Sequence, residues 1–218
     1  MSDPISIDID QTILGIDESG KGDFFGPLVI AGVMADPKEA EIMAGWGVRD
    51  SKKISDNRIL ELSRKIIESS VHTVVVIGPE KYNELYVKIK NLNRLLAWGH
   101  SRVIENIAEN HTPDLAVSDK FGRTDSIENA LMKNGQKIKL IQRVRAESII
   151  QVAAASILAR AKFVEYMKRL SGQYGMKLPL GAGAPVDDAG RRLAAKHGVD
   201  IFGKTAKVHF KNLKKIMG

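Results

Sequence analysis

Apolar positions along this chain recur with two periods, one typical of β-strands and one typical of helices. Apolar runs at residues 13–16 and 28–33 predict two strands joined by a glycine-rich turn, and a β-branched run at 71–77 predicts a third. Apolar residues three and four positions apart predict helices over 57–68 and 91–109, the second with Asn91 as its N-cap. The first half of the chain is therefore expected to combine strands with helices.

The second half continues with strands and helices in alternation. The run 115–119 predicts a strand that ends on an acid, and it is followed by a predicted helix over 126–132, a strand over 137–144 and a helix over 147–170. The last helix carries small residues at 153–156, which permit close approach of a sheet or a ligand. This order predicts an α/β fold in which a mixed central β-sheet is flanked by α-helices.

No internal repeat, low-complexity tract or long linker divides the chain, so residues 1–218 are expected to form a single domain. A chain of this length can bury a full core. The densest cluster of proline and glycine lies at 178–185 and predicts a loop. The stretch after it, 187–218, is expected to be a helical C-terminal portion.

The composition is that of an ordinary soluble globule, with 44% hydrophobic and 27% charged residues. No apolar run reaches membrane-spanning length, and the first residues lack the basic segment and apolar core of a secretory signal. The absence of cysteine fits a reducing compartment. These features predict a cytoplasmic protein with no membrane partner.

An excess of positive charge suggests a polyanionic partner. The chain has 33 Lys and Arg against 26 Asp and Glu, which gives a net charge of +7. Basic residues crowd the C-terminal end, where they could hold a phosphate backbone or form the solvated face of a terminal helix. This basic cluster consists of Lys204, Lys207, His209, Lys211, Lys214 and Lys215.

Two adjacent acids, Asp17 and Glu18, stand directly before the glycine-rich turn. They predict a metal site beside a phosphate site, although a strand would place their side chains on opposite faces unless it ended or twisted between them. The same stretch comes close to a nucleotide-binding P-loop, but Gly22 stands where that motif needs Ser or Thr for Mg²⁺. A further alternative is that the acids cap a turn that the glycines only shape.

Two more acids are expected to reach the same edge of the sheet. Asp119 ends a predicted strand, as Asp17 does, and such strand ends gather around one crevice. Glu147 follows the next predicted strand. Asp119 could equally cap a turn, and Glu147 could equally stabilise the start of a helix.

Carboxylate oxygens suit hard cations, so four convergent acids would suit two ions such as Mg²⁺ or Mn²⁺. One ion would activate water and the other would stabilise the departing oxygen of a phosphodiester. Without cations, the crowding of like charges should raise the pKa of at least one carboxyl.

Several motifs, in this order, resemble those of type 2 ribonucleases H, and within them bacterial ribonuclease HIII. The opening motif DESGKGD at 17–23 has lysine where the ribonuclease HII version has arginine. The other matches are RDSKKIS at 49–55, NLN at 91–93, LLAWGH at 95–100, RAES at 145–148, AAASILAR at 153–160, LPLGAG at 178–183 and KVHFKN at 207–212.

This resemblance implies a ribonuclease H-like fold and a metal-dependent endonuclease that cleaves the RNA strand of RNA–DNA hybrids. The metal ions would be Mg²⁺ or Mn²⁺ in a two-ion mechanism, and the implied catalytic metal ligands are Asp17, Glu18, Asp119 and Glu147. Residues of the turn would contact ribose 2′-hydroxyls and the backbone near the scissile phosphate, since glycines let backbone groups approach a 2′-hydroxyl. These implied substrate contacts are Ser19, Gly20, Lys21 and Gly22.

Other residues within the matching motifs receive weaker roles. Lys52 and Lys53 are expected to approach the nucleic-acid backbone, or else to lie in a solvated loop. His209 is a candidate contact to substrate or phosphate, whereas His100 is interpreted as structural. No protein partner is implied and a monomer is expected, and the HIII-like features predict that a run of ribonucleotides is needed for cleavage. The alternative is a non-catalytic module of the same fold that binds hybrids or other nucleic acids.

The chain departs from the family pattern in two places. Ribonuclease HIII usually carries an additional N-terminal substrate-binding domain, whereas about a dozen residues precede the first predicted strand here. Lys120 stands where the family more often has glutamine, and it places a positive charge next to Asp119. It could tune metal affinity or point away.

Overall fold

A mixed sheet organises the computed structural model, which describes residues 10–119 and 135–218. Within these ranges the sheet has five strands in the order β3-β2-β1-β4-β5. The strands are β1 (Ile13–Ser19), β2 (Leu28–Ala35), β3 (Val71–Ile77), β4 (Leu115–Asp119) and β5 (Lys139–Arg143). β1 to β3 are antiparallel neighbours, whereas β4 and β5 run parallel to β1. The predicted mixed sheet is therefore confirmed.

Helices cover both faces of this sheet. Asn91 caps one of them as predicted, since its side chain accepts a hydrogen bond from the Arg94 nitrogen. The helices are α1 (Pro37–Gly45), α2 (Asp56–Ser69), α3 (Pro79–Ile89), α4 (Leu92–Ala108), α5 (Ile150–Gln173), α6 (Ala184–His197), α7 (Phe202–Thr205) and α8 (Lys211–Met217).

Alternating side chains of the central strands build two large hydrophobic clusters in the described ranges, one on each face, and Leu115 and Val117 of β4 belong to a smaller third cluster. Leu14 and Ile16 of β1 point to the face covered by α3 and α4. On the other face, Val29 and Ala31 of β2 pack on the small residues of α5, which begin at Ala153. The predicted close approach of a sheet to this small-residue patch is confirmed, and it leaves the ends of β1 and β4 framed by helices on both sides.

The contact between β1 and α5 is the closest part of this packing. A Cβ added to Gly15 would lie 2.2 Å from backbone atoms of Gln151 and Val152. Only glycine leaves room for the helix backbone at this point. The position of α5 relative to β1 is therefore fixed at the base of the site described below.

Several sequence predictions need adjustment. The helices α1 and α3 were not predicted, although the capping box of Asp36 and Glu39 before α1 is readable from the sequence. The helix predicted over 126–132 lies outside the described residues. Among the helices of the described ranges, none combines the length and apolarity needed to cross a membrane.

Candidate active site

A polar cavity of about 490 Å³ opens where β1 and β4 end. Acids of both strands, the glycine-rich turn and residues of two flanking segments enclose it. The lining residues are Asp17, Glu18, Ser19, Gly20, Lys21, Gly22, Asp23, Ser51, Lys52, Ile54, Asp56, Asp119 and Arg160. Three of the four predicted acids thus share one cavity with the turn that was predicted to contact ribose.

Parallel pairing places Asp17 beside Asp119. Ile16 of β1 is paired with Ser118 of β4, and the two aspartates follow directly in each strand. Burial raises the pKa of the Asp17 carboxyl, and the charges of Glu18 and Asp119 raise it further. The predicted rise in a carboxyl pKa is therefore found at Asp17. A positive charge nearby would favour the carboxylate form of Asp17.

Glu18 has a different environment, because it lies on the opposite face of β1. Its Oε2 atom lies 3.2 Å from Nε2 of the buried His100, and its Oε1 atom accepts a hydrogen bond of 3.0 Å from Lys21. Burial alone would raise the pKa of Glu18, but the hydrogen bond from His100 and the charge of Lys21 outweigh it and lower the pKa. Glu18 is thus held as a carboxylate. The interpretation of His100 as only structural misses this contact.

The strand does not break between the two acids. β1 continues to Ser19, and its pairing with β2 includes Asp17 with Ala31 and Glu18 with Ile30. The two carboxylates therefore leave β1 in opposite directions and still reach the same cavity, since the cavity wraps around the end of the strand. The break or twist that was expected between the two acids, as the condition for sharing one ion, is therefore absent from β1.

Glu147 is placed next to this cavity rather than on its wall. It is half-buried in a short 3₁₀ turn, Ala146–Ser148, and not at the start of a long helix as predicted. The turn is entered through Arg145 in the left-handed conformation, with φ of 60°. The Ala146 nitrogen lies 3.5 Å from Oδ1 of Asp119, which ties the turn to β4. Within the described ranges, no three carboxylate or histidine side chains already form a group that could hold an ion.

The glycine-rich turn is shaped by its own packing. Gly20 has φ of 90°, and a Cβ there would lie 2.2 Å from the Pro27 carbonyl oxygen. The Asp23 nitrogen donates to the Gly20 carbonyl at 3.3 Å and closes the turn. Gly22 is different, because a Cβ at this position would meet open space. The fold requires glycine at Gly20, whereas no neighbour among residues 10–119 and 135–218 requires it at Gly22.

The P-loop interpretation is wrong. A P-loop leads from a strand into a helix whose N-terminus binds the phosphates. Here the turn leads from β1 directly into β2, which returns antiparallel to it. No helix N-terminus follows this turn.

Basic residues form the wall opposite the acids. Lys52 lies in a 3₁₀ turn, Ser51–Lys53, which is capped by Asp50 and tied to α5 by a hydrogen bond from the Ser51 nitrogen to the Ser156 hydroxyl. The Lys52 side chain is exposed in the cavity, and its charge lowers the pKa of Asp17, against the larger effect of burial. The Lys53 side chain lies outside the described residues, as does Lys120.

Arg160 is a cavity residue that sequence reasoning missed. It extends from α5 and forms an ion pair of 3.3 Å with Asp56 at the start of α2. Its place in the matching motif at 153–160 was a usable signal, but the motif alone did not show which side of the helix faces the cavity.

The basic cluster near the C-terminus is not uniformly exposed to solvent. Lys207 is 0% exposed, so it is not available to a phosphate backbone, and this part of the prediction for the basic cluster is wrong. His209 is stacked on Tyr86, with ring centroids 3.8 Å apart, and it is not among the cavity residues. Burial lowers the pKa of His209, and the charge of Lys207 lowers it further. A substrate contact of His209 stays a prediction.

Comparison with known proteins identifies the class that this fold and site define. A family model described as Ribonuclease HII matches residues 14–213, and the chain belongs to this family.

Its relatives point to one branch of that family. Ribonuclease HIII of Chlamydia pneumoniae is 48% identical over 208 residues, which cover 93% of this chain and 69% of the relative. The crystal structure of Bst-RNase HIII in complex with Mn²⁺ superimposes with a TM-score of 0.88 at 32% identity, covering 95% of this chain and 70% of that chain. The structure of Aquifex aeolicus RNase H3 is similar with a TM-score of 0.77 at 29% identity, and 93% of this chain and 73% of that chain are covered.

Proposed function

We propose that this chain is an endoribonuclease that hydrolyses the RNA strand of RNA–DNA hybrids with the help of divalent metal ions. The observation that carries the proposal is the shared cavity. It places Asp17, Glu18 and Asp119 beside a turn with an open Gly22 and beside the exposed Lys52. Acids for metal, a backbone surface for ribose and a cation for phosphate are the groups that this reaction needs.

The carboxylates fit hard divalent cations. All candidate ligand atoms are carboxylate oxygens, the donors that Mg²⁺ and Mn²⁺ prefer. The raised pKa of Asp17 shows that the cavity disfavours a second negative charge without a cation. We assign the ligand roles to Asp17, Glu18, Asp119 and Glu147, with Glu147 joining by rotation from its adjacent turn. Two bound ions would activate water and stabilise the departing oxygen.

The protein groups around the acids bind and orient the substrate in this proposal. Ser19, Gly20 and Gly22 present backbone groups to the ribose 2′-hydroxyls, and Gly22 permits the closest approach because it has no neighbour in the fold. Lys21 is 45% exposed while paired with Glu18, so it can exchange this partner for a phosphate. Lys52 faces the same space and would bind the backbone from the other side.

The wider assignments are part of the same proposal. We expect residues 1–218 to act as one ribonuclease H-like catalytic domain with a helical portion over 187–218. We expect it to work in the cytoplasm as a monomer. The features that resemble ribonuclease HIII, such as Lys21, also predict that a run of ribonucleotides is required for cleavage.

The decisive experiment is incubation of the protein with an RNA–DNA hybrid in Mg²⁺ and, separately, in Mn²⁺. Cleavage of the RNA strand that requires metal is expected. A parallel substrate with one ribonucleotide in duplex DNA should be cut poorly in Mg²⁺. Salt-sensitive binding of the hybrid without any cleavage would refute the proposal and favour a non-catalytic binding module.

Asp17→Asn tests the site itself. Turnover should fall by about a thousandfold or more, because metal-held charge contributes several kcal/mol to the transition state. The metal-free variant should be as stable as the wild type or more stable, since the neutral amide relieves burial and repulsion of a carboxylate. Asp188→Asn, at an exposed position of α6, is the matched control and should keep full activity. An Asp17→Asn variant with wild-type turnover would remove this residue from the mechanism.

A further inference from the structure

A lysine with no solvent exposure lies beneath the glycine-rich turn. Lys207 is 0% exposed, and its Nζ atom donates to the carbonyl oxygens of Asp23 at 2.8 Å and Gly26 at 2.9 Å. The same atom lies 5.6 Å from the centroid of the Tyr82 ring. An ammonium has three N–H donors, so two carbonyls and one aromatic face account for all of them. These three contacts fix the position of the Lys207 side chain.

The contact reaches the turn through two hydrogen bonds in series. The first runs from Lys207 Nζ to the Asp23 carbonyl. The second runs from the Asp23 nitrogen to the Gly20 carbonyl and closes the turn that contains Gly22. Both hydrogen bonds involve backbone groups of Asp23, which lies in the loop. The buried Lys207 side chain therefore supports the loop from the protein interior.

Most of the other contacts hold the second half of the loop, although Oδ1 of Asp23 also accepts a hydrogen bond of 2.6 Å from the Gly181 nitrogen. The Gly26 nitrogen donates to the Thr205 carbonyl at 2.9 Å, and the Lys207 nitrogen donates to the Phe24 carbonyl at 2.8 Å. Phe25 and Ala206 form an isolated antiparallel bridge. These are backbone contacts that almost any residue at position 207 could make. The hydrogen bonds to the carbonyls of Asp23 and Gly26 depend on the lysine side chain, and the one to Asp23 is the one that reaches the first half of the loop.

Burying an amine at this position is costly, which indicates a specific role. Burial lowers the pKa of Lys207 to about 7, against the opposing charge of Asp23. The neutral amine still has two N–H groups, so both carbonyl contacts persist in either protonation state. A methionine would fill similar space without this cost, but it could not donate to either carbonyl.

We propose that Lys207 is a positioning residue that holds the turn at 20–23 in the shape that binds the ribose of the RNA strand. This inference rests on the proposed function. Lys207 does not touch substrate, and it acts through the carbonyl of Asp23. Without it, the Asp23 carbonyl loses its hydrogen-bond donor while the Asp23 side chain keeps its contact with Gly181. The turn is then held less firmly and samples other conformations, so hybrid binding weakens before the metal site is affected.

The experiment exploits the absence of cysteine from the chain. Lys207→Cys is alkylated with 2-bromoethylamine in denaturant and refolded. The thiolate displaces bromide and leaves S-aminoethylcysteine, whose amine is at the same distance along the side chain as that of lysine. Alkylation with 1-iodopropane gives S-propylcysteine, a side chain of the same length that ends in a methyl group and has no N–H donor. Lys204→Cys, exposed and three residues earlier, is treated in the same way as the control.

For Lys207→Cys we expect kcat/KM on the hybrid to fall by about 10- to 100-fold, mostly through a higher KM. Aminoethylation should restore KM to within about threefold of the wild type, whereas propylation should not. The Lys204→Cys proteins should match the wild type throughout. If the wild type and the Lys204→Cys control do not cleave the hybrid, the proposed function fails. If they cleave it, the result for Lys207→Cys tests the positioning role alone.

Two results would overturn the positioning role. The first is a folded Lys207→Cys protein with wild-type KM and kcat. The second is a partly unfolded protein whose activity loss equals its unfolded fraction while KM is unchanged, because that pattern describes a purely structural lysine. Circular dichroism at the assay temperature supplies the folded fraction.

Discussion

Replacing Gly15 with alanine is expected to force the central strand away from the helix behind it. The added Cβ would lie 2.2 Å from the Gln151 carbonyl carbon and from the Val152 nitrogen, both in the backbone of α5. Ordinary contact begins at 3.4 Å, so the two elements must separate by 3.4 − 2.2 = 1.2 Å. A backbone cannot rotate out of the way as a side chain can. β1 is also hydrogen bonded to β2 and β4, so it cannot move alone.

The consequences for stability and activity follow from this displacement. The free energy of unfolding should fall by about 3 kcal/mol, toward the upper end for overpacked cores. For a chain of this size, that change corresponds to a decrease in Tm of about 6–12 °C. Asp17 lies two residues further along β1, and a misplacement of about 1 Å at a catalytic group should lower kcat/KM by about a hundredfold.

The assay combines thermal denaturation in metal-free buffer with hybrid cleavage at a temperature where both proteins are folded. Gly172→Ala is the matched control, because it lies in the same helix and its Cβ would meet open space. The control should keep wild-type activity and gain up to about 1 kcal/mol from helix propensity. If Gly15→Ala has the Tm and kcat/KM of the wild type, the reasoning from close packing is refuted.

Three further predictions concern single groups of the site and its support. Gly22→Ala should leave Tm unchanged but raise KM for the hybrid by about tenfold, because the added methyl group would meet the ribose but no atom of the described residues. Thermal melts and cleavage kinetics test this, and a lower Tm with an unchanged KM would contradict it. His100→Phe removes the hydrogen bond to Glu18 and should weaken Mn²⁺ binding by about tenfold. Titration calorimetry on the folded protein measures this affinity, and an unchanged value would contradict a role of His100 in metal binding. Lys207 is protonated in the unfolded chain up to pH 10.5 but in the folded protein only up to about pH 7, so the unfolded state binds more protons between these values. The free energy of unfolding of the wild type should therefore rise over this range by up to about 1.4 kcal/mol per pH unit relative to Lys207→Met, and parallel urea-denaturation profiles for the two proteins would refute the pKa.

Local patterns were enough to predict much of the sheet and part of the site. The β-branched run became β3 with the predicted bounds Val71–Ile77, and the strand ending on Asp119 has the predicted bounds Leu115–Asp119. In both cases strand propensity and burial favour the same structure. The gathering of Asp17 and Asp119 also follows from sequence, because parallel strands present their C-terminal ends at one edge.

Contacts between residues distant in sequence could not be predicted in this way. Glu18 and His100 are 82 residues apart, and Lys207 lies 184 residues from Asp23. Their pairing depends on how α4 and the C-terminal segment pack on the sheet. Glu147 was placed in a helix because its neighbours have helical spacing, but the left-handed conformation of Arg145 starts a separate turn before α5.

Asp17 and Glu18 project from opposite faces of β1, so different residues surround each acid. Substitutions around His100 in α4 act on Glu18, whereas substitutions around Lys52 act on Asp17. The backbone of β1 separates the residues that act on the pKa of Glu18 from those that act on the pKa of Asp17. A substitution in α4 therefore changes Glu18 directly and reaches Asp17 only through the charge of Glu18, whereas a substitution near Lys52 changes Asp17 directly.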